Sequence, residues 1–451
     1  GKIRLENALL LFIEITGLKQ INDVYGMKTG DESVYRYDQM GTHSYENSSM
    51  QTGTNGTSYY FSVASGDITN FFNEVDLNTP WDYHYENLDS RTILDRLAAV
   101  KYFVVKAGEE EYLPYGYDTL AAEVEKNDKL YRAYECKNAL PIGYTYDSYI
   151  PEEKYAKMST VEKQQALLQG VILSNSTVPE TTSEFNDREV PYKLVTGSGC
   201  REKDGKLIVT KENAQAKLVF DGLDECETYL ITEGVDYEAL SPRELISDKK
   251  WSKMTLYEQK KIQYENSTWR YWKESQKAYI DVTGQFLDKT ISIFTDKYNA
   301  YSGRSDFLCN TGYSVKGKKS ITLTFENTGV YSYKNMKVVC QPIENIESQT
   351  TKLGAESLEN VEIKNHELTG NISVSKDKVL VISLPYSKGF QAYVDGQKTE
   401  LKQANTMYMA LELKKGAHEI RLTYCTPYLK AGLILTCAGV LCYICVVLAY
   451  K

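Results

Sequence analysis

The strongest constraint on this chain lies at its C-terminus. Residues 431–450, AGLILTCAGVLCYICVVLAY, run for twenty residues without a charge. As a helix they would span about 30 Å, the thickness of a bilayer core. Lys430 and Lys451 flank the run, and Tyr428 and Tyr450 stand where aromatic side chains meet the membrane interfaces. A buried core helix is the competing reading, and the uncharged length argues against it. One lysine on each side sets no orientation. The expectation is a large polar body, residues 1–427, anchored in a membrane by a spanning helix over 428–451.

The body has the composition of a folded protein. Of 451 residues, 42% are hydrophobic and 25% charged, which excludes a disordered chain and a multi-span protein. The formal net charge is -9, so the clustered basic surface that nucleic acid requires is absent. Of the aromatic residues, 37 are Tyr, 12 Phe and 4 Trp, a bias that suits β-structure or a wet, carbohydrate-like surface. Nine cysteines at irregular spacing do not make a disulfide scaffold, although Cys136, Cys200, Cys226, Cys309, Cys340 and Cys425 leave room for a pair or two. Cys442-x-x-Cys445 sits in the apolar run, where a metal or redox site lacks polar surroundings. His43, His84, His366 and His418 are far apart, so no metal site and no histidine-based triad is expected.

The length suggests about three domains. Residues 31–180 read as mixed α/β. SYYFSVAS (58–65) and AAVKYFVVK (98–106) are strand-like. NLDSRTILDRLAAVKYFVV reads as a short helix feeding a buried strand, with Asp89 or Ser90 as cap and Leu94, Leu97 and Ala98 facing inward. Ser159–Glu162 fits a capping box, and Gly170 a helix stop. Residues 181–345 read as a β-sandwich, with hairpin turns such as Lys203-Asp204-Gly205 and a helical or hairpin insertion over 241–276. Residues 346–427 read as a C-terminal β module, with a short helix or turn over 356–361 and a hairpin at Asp395-Gly396. The fold class is therefore mainly β with a mixed α/β N-terminal part.

The N-terminal segment, residues 1–30, stands apart. Residues 8–13, ALLLFI, are too short to cross a bilayer, and no cleavage site follows. Gly1 in place of an initiator Met suggests a processed chain or a piece of a longer one. Residues 8–32 resemble the opening of a diguanylate cyclase (GGDEF) domain in Phe12, Lys19, Asn22, Asp23, Gly26, Gly30 and Asp31. Glu14 stands in for the first metal acid and Thr16 replaces the second. No GGDEF hairpin follows, so no substrate site is implied.

From Glu32 onward an ordered series of motifs resembles the C-terminal extracytoplasmic part of the YfhO family of bacterial membrane proteins. The series comprises VYRYDQMG (34–41), LDSRTILDRLAAVKYFVV, YECKNALPIGYTYDSYI (134–150), EKQQALLQGVIL (162–173), DFLCNTGYS (306–314), LTGNISVSKDKVLVISLPYSKGFQAYVDGQKTEL (368–401) and KKGAHEIRLTY leading into the apolar run. Phe390 departs from the pattern, where relatives more often carry Trp. The resemblance implies a role in cell-envelope glycosylation of the teichoic-acid type, as the extracytoplasmic accessory region of a membrane glycosyltransferase using polyprenyl-phosphate sugars. In that class an acid in an early outer loop acts as base, often with a divalent metal. No cofactor is expected in this chain, and its catalytic acid is expected elsewhere. The implied partners are the lipid bilayer, a polyprenyl-phosphate sugar and an envelope polymer acceptor.

Glycan-binding candidates are the rare large aromatics, Trp81, Tyr83, Trp251, Trp269 and Trp272, because flat rings stack on sugar faces. Core packing is the alternative for each. Arg36 is the phosphate-binding candidate through its planar fork, with a structural pairing to Asp38 or another acid as the alternative. A membrane-anchored surface module that binds a glycan or protein without catalysis is the second functional reading.

Overall fold

The computed structural model describes residues 34–39, 55–60, 65–77, 84, 85, 87–126, 128–268, 276–299, 301–364 and 366–449. The GGDEF-like stretch lies outside them.

Three bodies of β-structure share buried faces. The first opens on the parallel pair Arg36–Gln39 and Val100–Lys106. The hairpin Tyr117–Lys126 and Lys129–Cys136 extends that sheet. The helix Gly66–Glu74 packs Ile68, Phe71 and Phe72 against it, and the helix Thr92–Leu97 buries all six of its residues. Leu94, Leu97 and Ala98 face inward as the spacing predicts. The expected cap does not form. Arg91 takes the N-cap position without a side-chain bond, while Asp89 and Ser90 turn into the left-handed region at φ 61° and 51°. The Asp89 carboxylate is engaged instead by Lys289 and Arg91. Ser159 and Glu162 do form the expected capping box on the helix Thr160–Ala166.

The second body is the β-sandwich. One face is built on Arg188–Val190, Asn335–Pro342, Cys226–Glu233 and Phe307–Ser314. The other is a five-stranded sheet centred on Ser320–Phe325. A smaller sheet, Cys200–Lys203, Lys206–Val209, Gly329–Ser332 and Asp236–Ala239, closes one end. Alternation fixes the inward face: in AQAKLVF, residues 214–220, every second side chain is buried. Leu218, Leu230, Ile280, Phe325 and Val338 meet in the core. Asp204 and Gly205, both at positive φ, make the tight turn their sequence predicts. The insertion is helical where described, with Asp248–Trp251 and Leu256–Thr268.

The third body pairs two sheets around Leu368, Ile382, Met409 and Leu422. Its central strand, Lys378–Pro385, is buried at all eight positions. One face meets that core. Val379 and Val381 on the other face join the core of the first body. A near-continuous apolar run is what double burial demands. This strand also pairs with Gly143–Tyr146, so residues far apart in sequence share one sheet. Asp395-Gly396 turns a hairpin as expected, and Phe390 packs on Tyr424 at 4.9 Å between centroids. The helix or turn expected over 356–361 is corrected: the helix is Ile346–Gly354, and Glu359–Lys364 is a strand against Glu367–Val374. Leu368, opposite Ile363, draws that stretch onto the core.

The last element is the helix Leu429–Ala449, 21 residues with mean hydropathy 2.5 and no residue buried against the body. It is the one helix among the described residues long and apolar enough to cross a membrane. The protein is thus mainly β, with a single C-terminal apolar helix.

Candidate functional site

The motif LDSRT, residues 88–92, docks the first body onto the sandwich through buried polar groups. Lys289 Nζ lies 2.7 Å from Asp89 Oδ1, and Arg91 Nε 3.3 Å from Asp89 Oδ2. Arg91 also donates to the carbonyls of Val75 and Asp76 at 2.5 and 2.9 Å. Asn310 of DFLCNTGYS donates to the carbonyls of Asp89 and Ser90 at 3.1 and 3.0 Å. Glu227 accepts from Thr92 N, Thr92 Oγ1 and Tyr229 Oη, and Gln164 of EKQQALLQG donates to Tyr229 Oη at 2.9 Å. Three motifs that are far apart in sequence therefore meet at one interface.

Beside that interface opens a cleft of about 820 Å³, between the first body, the sandwich and the helix Ile346–Gly354. Its walls come from the loop before Tyr117, the turn after Cys136, the turn at Gln285-Phe286, residues 313–316 and Glu347. Tyr115 and Tyr313 face each other with ring centroids 5.2 Å apart and planes at 56°. The Arg96 guanidinium lies under the Tyr115 ring, 5.5 Å from its centroid. Arg96 Nη2 donates to Glu347 Oε1 at 2.8 Å, and Asn138 Nδ2 donates to Glu347 Oε2. Thr92 closes the link to the interface, since its Oγ1 accepts from Tyr115 N at 3.1 Å.

Local sequence explains the shape. Pro114 and Gly116 bracket Tyr115 in a turn. Gly116 has φ +90°, and a Cβ there would collide with the Arg96 guanidinium. Burial pushes the Tyr115 phenol up, and the Glu347 carboxylate beside it adds to this. Burial also raises the Tyr313 phenol and the Cys136 thiol. Tyr115 is therefore a neutral hydroxyl on an aromatic plate at neutral pH. Lys316 at the rim is paired with Asp224, and Glu110 with Arg132. Rings beside a fixed carboxylate and amide suit a ligand with flat C–H faces and many hydroxyls. Among the described residues, no group of three or more His, Cys, Asp or Glu is arranged to hold a metal ion.

Neither described candidate from sequence, Trp251 or Arg36, lines the cleft. Trp81, Tyr83, Trp269 and Trp272 lie outside the described residues. Trp251 ends the short helix Asp248–Trp251, half-buried, with the Arg243 guanidinium 4.4 Å above its ring. It does not line the cleft. Arg36 is buried and donates to Ala98 O at 2.6 Å, Ser383 O at 2.8 Å and Ser383 Oγ at 3.3 Å. Asp38 is engaged by Thr57 Oγ1 and Gln39 N. Tyr115, Tyr313, Asn138 and Glu347 were not singled out from sequence. Only the Pro-Tyr-Gly turn at 114–116 and the presence of Asn138 and Tyr313 in the motifs that carry the family resemblance give any signal.

The chain is 22% identical over 418 residues to the "Uncharacterized protein YfhO" of Bacillus subtilis (strain 168), covering 92% of this chain and 43% of that protein. It thus spans less than half the length of the curated relative it matches. Among solved structures, arabinofuranosyltransferase AftD from Mycobacteria overlaps 33% of this chain and 11% of its own, at 11% identity and TM-score 0.15. The N-terminal CBM22-1-CBM22-2 tandem domain of a Paenibacillus barcinonensis protein overlaps 55% of this chain and 92% of its own, at 11% identity and TM-score 0.20. Neither overlap is close enough to carry an argument. The family described as "Bacterial membrane protein YfhO" matches residues 15–436, and the chain belongs to that family.

Proposed function

We propose that this chain is the extracytoplasmic, acceptor-facing part of a membrane glycosyltransferase that uses polyprenyl-phosphate sugars to decorate an envelope polymer, with the Tyr115–Tyr313 cleft as its glycan seat. The cleft carries the reading: it sets two tyrosine rings against a fixed carboxylate, on a body tethered by the helix Leu429–Ala449. The rings take the C–H faces of a sugar. Glu347 accepts from its hydroxyls, and the Asn138 carbonyl adds a second acceptor. A lipid-linked donor reacts at the membrane surface, and a tethered body holds its acceptor within reach of that surface. The base, and any divalent metal serving it, belong to the transferase centre in spans other than this helix. The net charge of -9 gives an anionic polymer no bulk attraction, so recognition in the cleft is local and directed at the sugar.

The test is made in the encoding bacterium with the full-length gene. Tyr115→Ala with Tyr313→Ala should lower the sugar content of wall-bound or lipid-linked polymer, measured by NMR of the extracted polymer, at unchanged protein level in the membrane. Unchanged decoration in this variant removes the cleft from the reading. Unchanged decoration after deletion of the gene removes the transferase and leaves an anchored binding module.

A further inference from the structure

None of the residues of the helix Leu256–Thr268, in the insertion of the sandwich, is buried. Polar contacts hold it in place. Thr255 and Glu258 cap it reciprocally, Thr255 N donating to Glu258 Oε2 at 2.7 Å and Glu258 N to Thr255 Oγ1 at 3.3 Å. Gln259 Nε2 donates to Trp251 O at 3.0 Å and to Met254 O at 3.3 Å, and Asn266 Oδ1 accepts from Arg243 N at 3.2 Å. Gln259, Ile262 and Asn266, spaced by three and four, form a half-buried flank. The opposite face carries Tyr257, Lys260, Lys261 and Tyr264, with Leu256 at its edge, and all five are exposed. Tyr257 at 78%, Tyr264 at 72% and Leu256 at 68% are the most exposed large apolar or aromatic side chains among the described residues before Tyr428. Single exposed residues of this kind need no explanation, but three on one helix mark a contact surface.

The charge of the segment singles out the partner. Residues 241–268 carry six Lys or Arg and four Asp or Glu, in a chain of formal net charge -9. All four acids are engaged. Glu244 accepts from Ser241, Asp248 pairs with Arg243, Glu258 accepts from Thr255 and Glu265 pairs with Lys261. Among the described residues, Lys249, Lys250, Lys253 and Lys260 form no ion pair, and all four are exposed. Lysine, tyrosine and leucine on one free face match the headgroup layer of a bilayer. Ammonium groups meet lipid phosphates, phenols stay at the polar boundary and the leucine reaches toward the acyl chains. A hydroxyl-rich polymer would leave the leucine without gain. The bilayer is also at hand. The chain belongs to a family of bacterial membrane proteins and carries the apolar helix Leu429–Ala449. A tether raises the effective concentration of the surface to which it is tied.

We propose that the face made by Leu256, Tyr257, Lys260 and Tyr264 is a second membrane contact, docking the sandwich on an anionic headgroup layer. Lys249, Lys250 and Lys253 add positive charge from the neighbouring turn, which Gln259 ties to the helix. The body is then fixed to the bilayer at two points, this face and the last helix. The contact rests neither on the cleft nor on a glycan.

The test uses protein made from the full-length gene in the encoding bacterium. It carries the photo-crosslinking substitution Tyr264→benzoylphenylalanine or, as an exposed control on the strand Tyr192–Thr196, Val195→benzoylphenylalanine. The purified protein is placed in nanodiscs of phosphatidylglycerol or of phosphatidylcholine, irradiated and weighed. The Tyr264 position should gain the mass of a lipid in phosphatidylglycerol and severalfold less of it in phosphatidylcholine, and the Val195 position little in either. High salt should lower the Tyr264 adduct severalfold. So should Lys249→Gln, Lys250→Gln, Lys253→Gln and Lys260→Gln together, at unchanged thermal unfolding. No lipid adduct at Tyr264, equal adducts at the two positions, equal adducts in the two lipids, or an adduct insensitive to salt overturns the proposal. Irradiation of whole cells separates the partners. Lipid mass on the Tyr264 position upholds the membrane contact, and a protein or a wall polymer in its place overturns it and gives the face to that partner.

Discussion

Thr92 Oγ1 donates to Glu227 Oε1 across 2.5 Å, between the first helix of LDSRTILDRL and the central strand of the sandwich. Both residues are fully buried. The Glu227 carboxylate takes three donors, from Thr92 N, Thr92 Oγ1 and Tyr229 Oη. Glu227→Ala would strand all of them away from water, and each unsatisfied group costs about 1–3 kcal/mol. We expect the variant to lose roughly 3 kcal/mol or more of stability by urea unfolding. Glu227→Gln keeps an acceptor for Thr92 and should lose less. Equal losses in the two variants would mean that volume, not hydrogen bonding, sets the cost.

Asp95, four residues along the same helix from Arg91, is also fully buried, and among the described residues neither of its carboxylate oxygens has a hydrogen-bond partner. Burial holds its carboxyl well above the ordinary value, and Asp38, Glu227 and Asp89 add to this against the opposing charge of Lys289. The unfolded chain releases this proton near pH 4, whereas the folded chain keeps it to a higher pH. Between those values the native state binds more protons, so stability falls as pH rises. Asp95→Asn removes the titration. The variant should gain on the wild type as pH rises from 5 to 8, measured by denaturation at each pH. A parallel offset at all pH values would show that Asp95 does not titrate in this window.

Gly116 holds the cleft open through the backbone rather than a side chain. Its φ of +90° and the Arg96 guanidinium beside it leave no place for a Cβ. Gly116→Ala must push Arg96 off Glu347 or distort the turn that carries Tyr115. A strained φ alone costs about 1–3 kcal/mol. Thermal unfolding should show that loss, and quenching of tyrosine emission by a bound glycan should weaken with it. Unchanged stability would mean that the turn relaxes into another conformation.

How much of this could be read from sequence depended on whether the cause was local. The strand over Lys378–Pro385 and the Asp-Gly turns at 204–205 and 395–396 were legible, because local pattern and turn chemistry act over a few residues. The pairing of that strand with Gly143–Tyr146 was not, since it depends on two apolar runs finding each other across more than half of the chain. The failed cap at Asp89 has the same origin. A carboxylate near a helix start caps it unless a distant Lys289 and Asn310 claim it first. The cleft was hidden for a different reason. Trp is rare here and draws the eye, whereas the facing rings are two of 37 tyrosines. Apart from the Pro-Tyr-Gly turn at Tyr115, nothing local separates Tyr115 and Tyr313 from the others, because what singles them out is Glu347, brought in by a third segment.

His418 ties down the last hairpin and gives the C-terminal body its own pH response. Its Nδ1 lies 2.7 Å from Asp395 Oδ2, and its Nε2 2.7 Å from Lys414 O. Both nitrogens face acceptors, an arrangement that requires the doubly protonated ring. Burial works against that charge, but the Asp395 carboxylate and the Lys414 carbonyl outweigh it and hold the imidazole above its ordinary value. The same pairing holds the Asp395 carboxyl below its own. A raised imidazole contributes its full stability below about pH 6.5 and loses it as pH rises through the folded value. Asp395 is half exposed, so the gain is modest and salt should weaken it. NMR titration of the His418 ring should give a midpoint above 6.5, and Asp395→Asn should bring it down. Amide exchange at residues 394–397 should quicken above that midpoint in the wild type and stay insensitive to pH across it in the variant, after correction for intrinsic exchange. A His418 midpoint unmoved by Asp395→Asn would assign the proton to the Lys414 carbonyl alone.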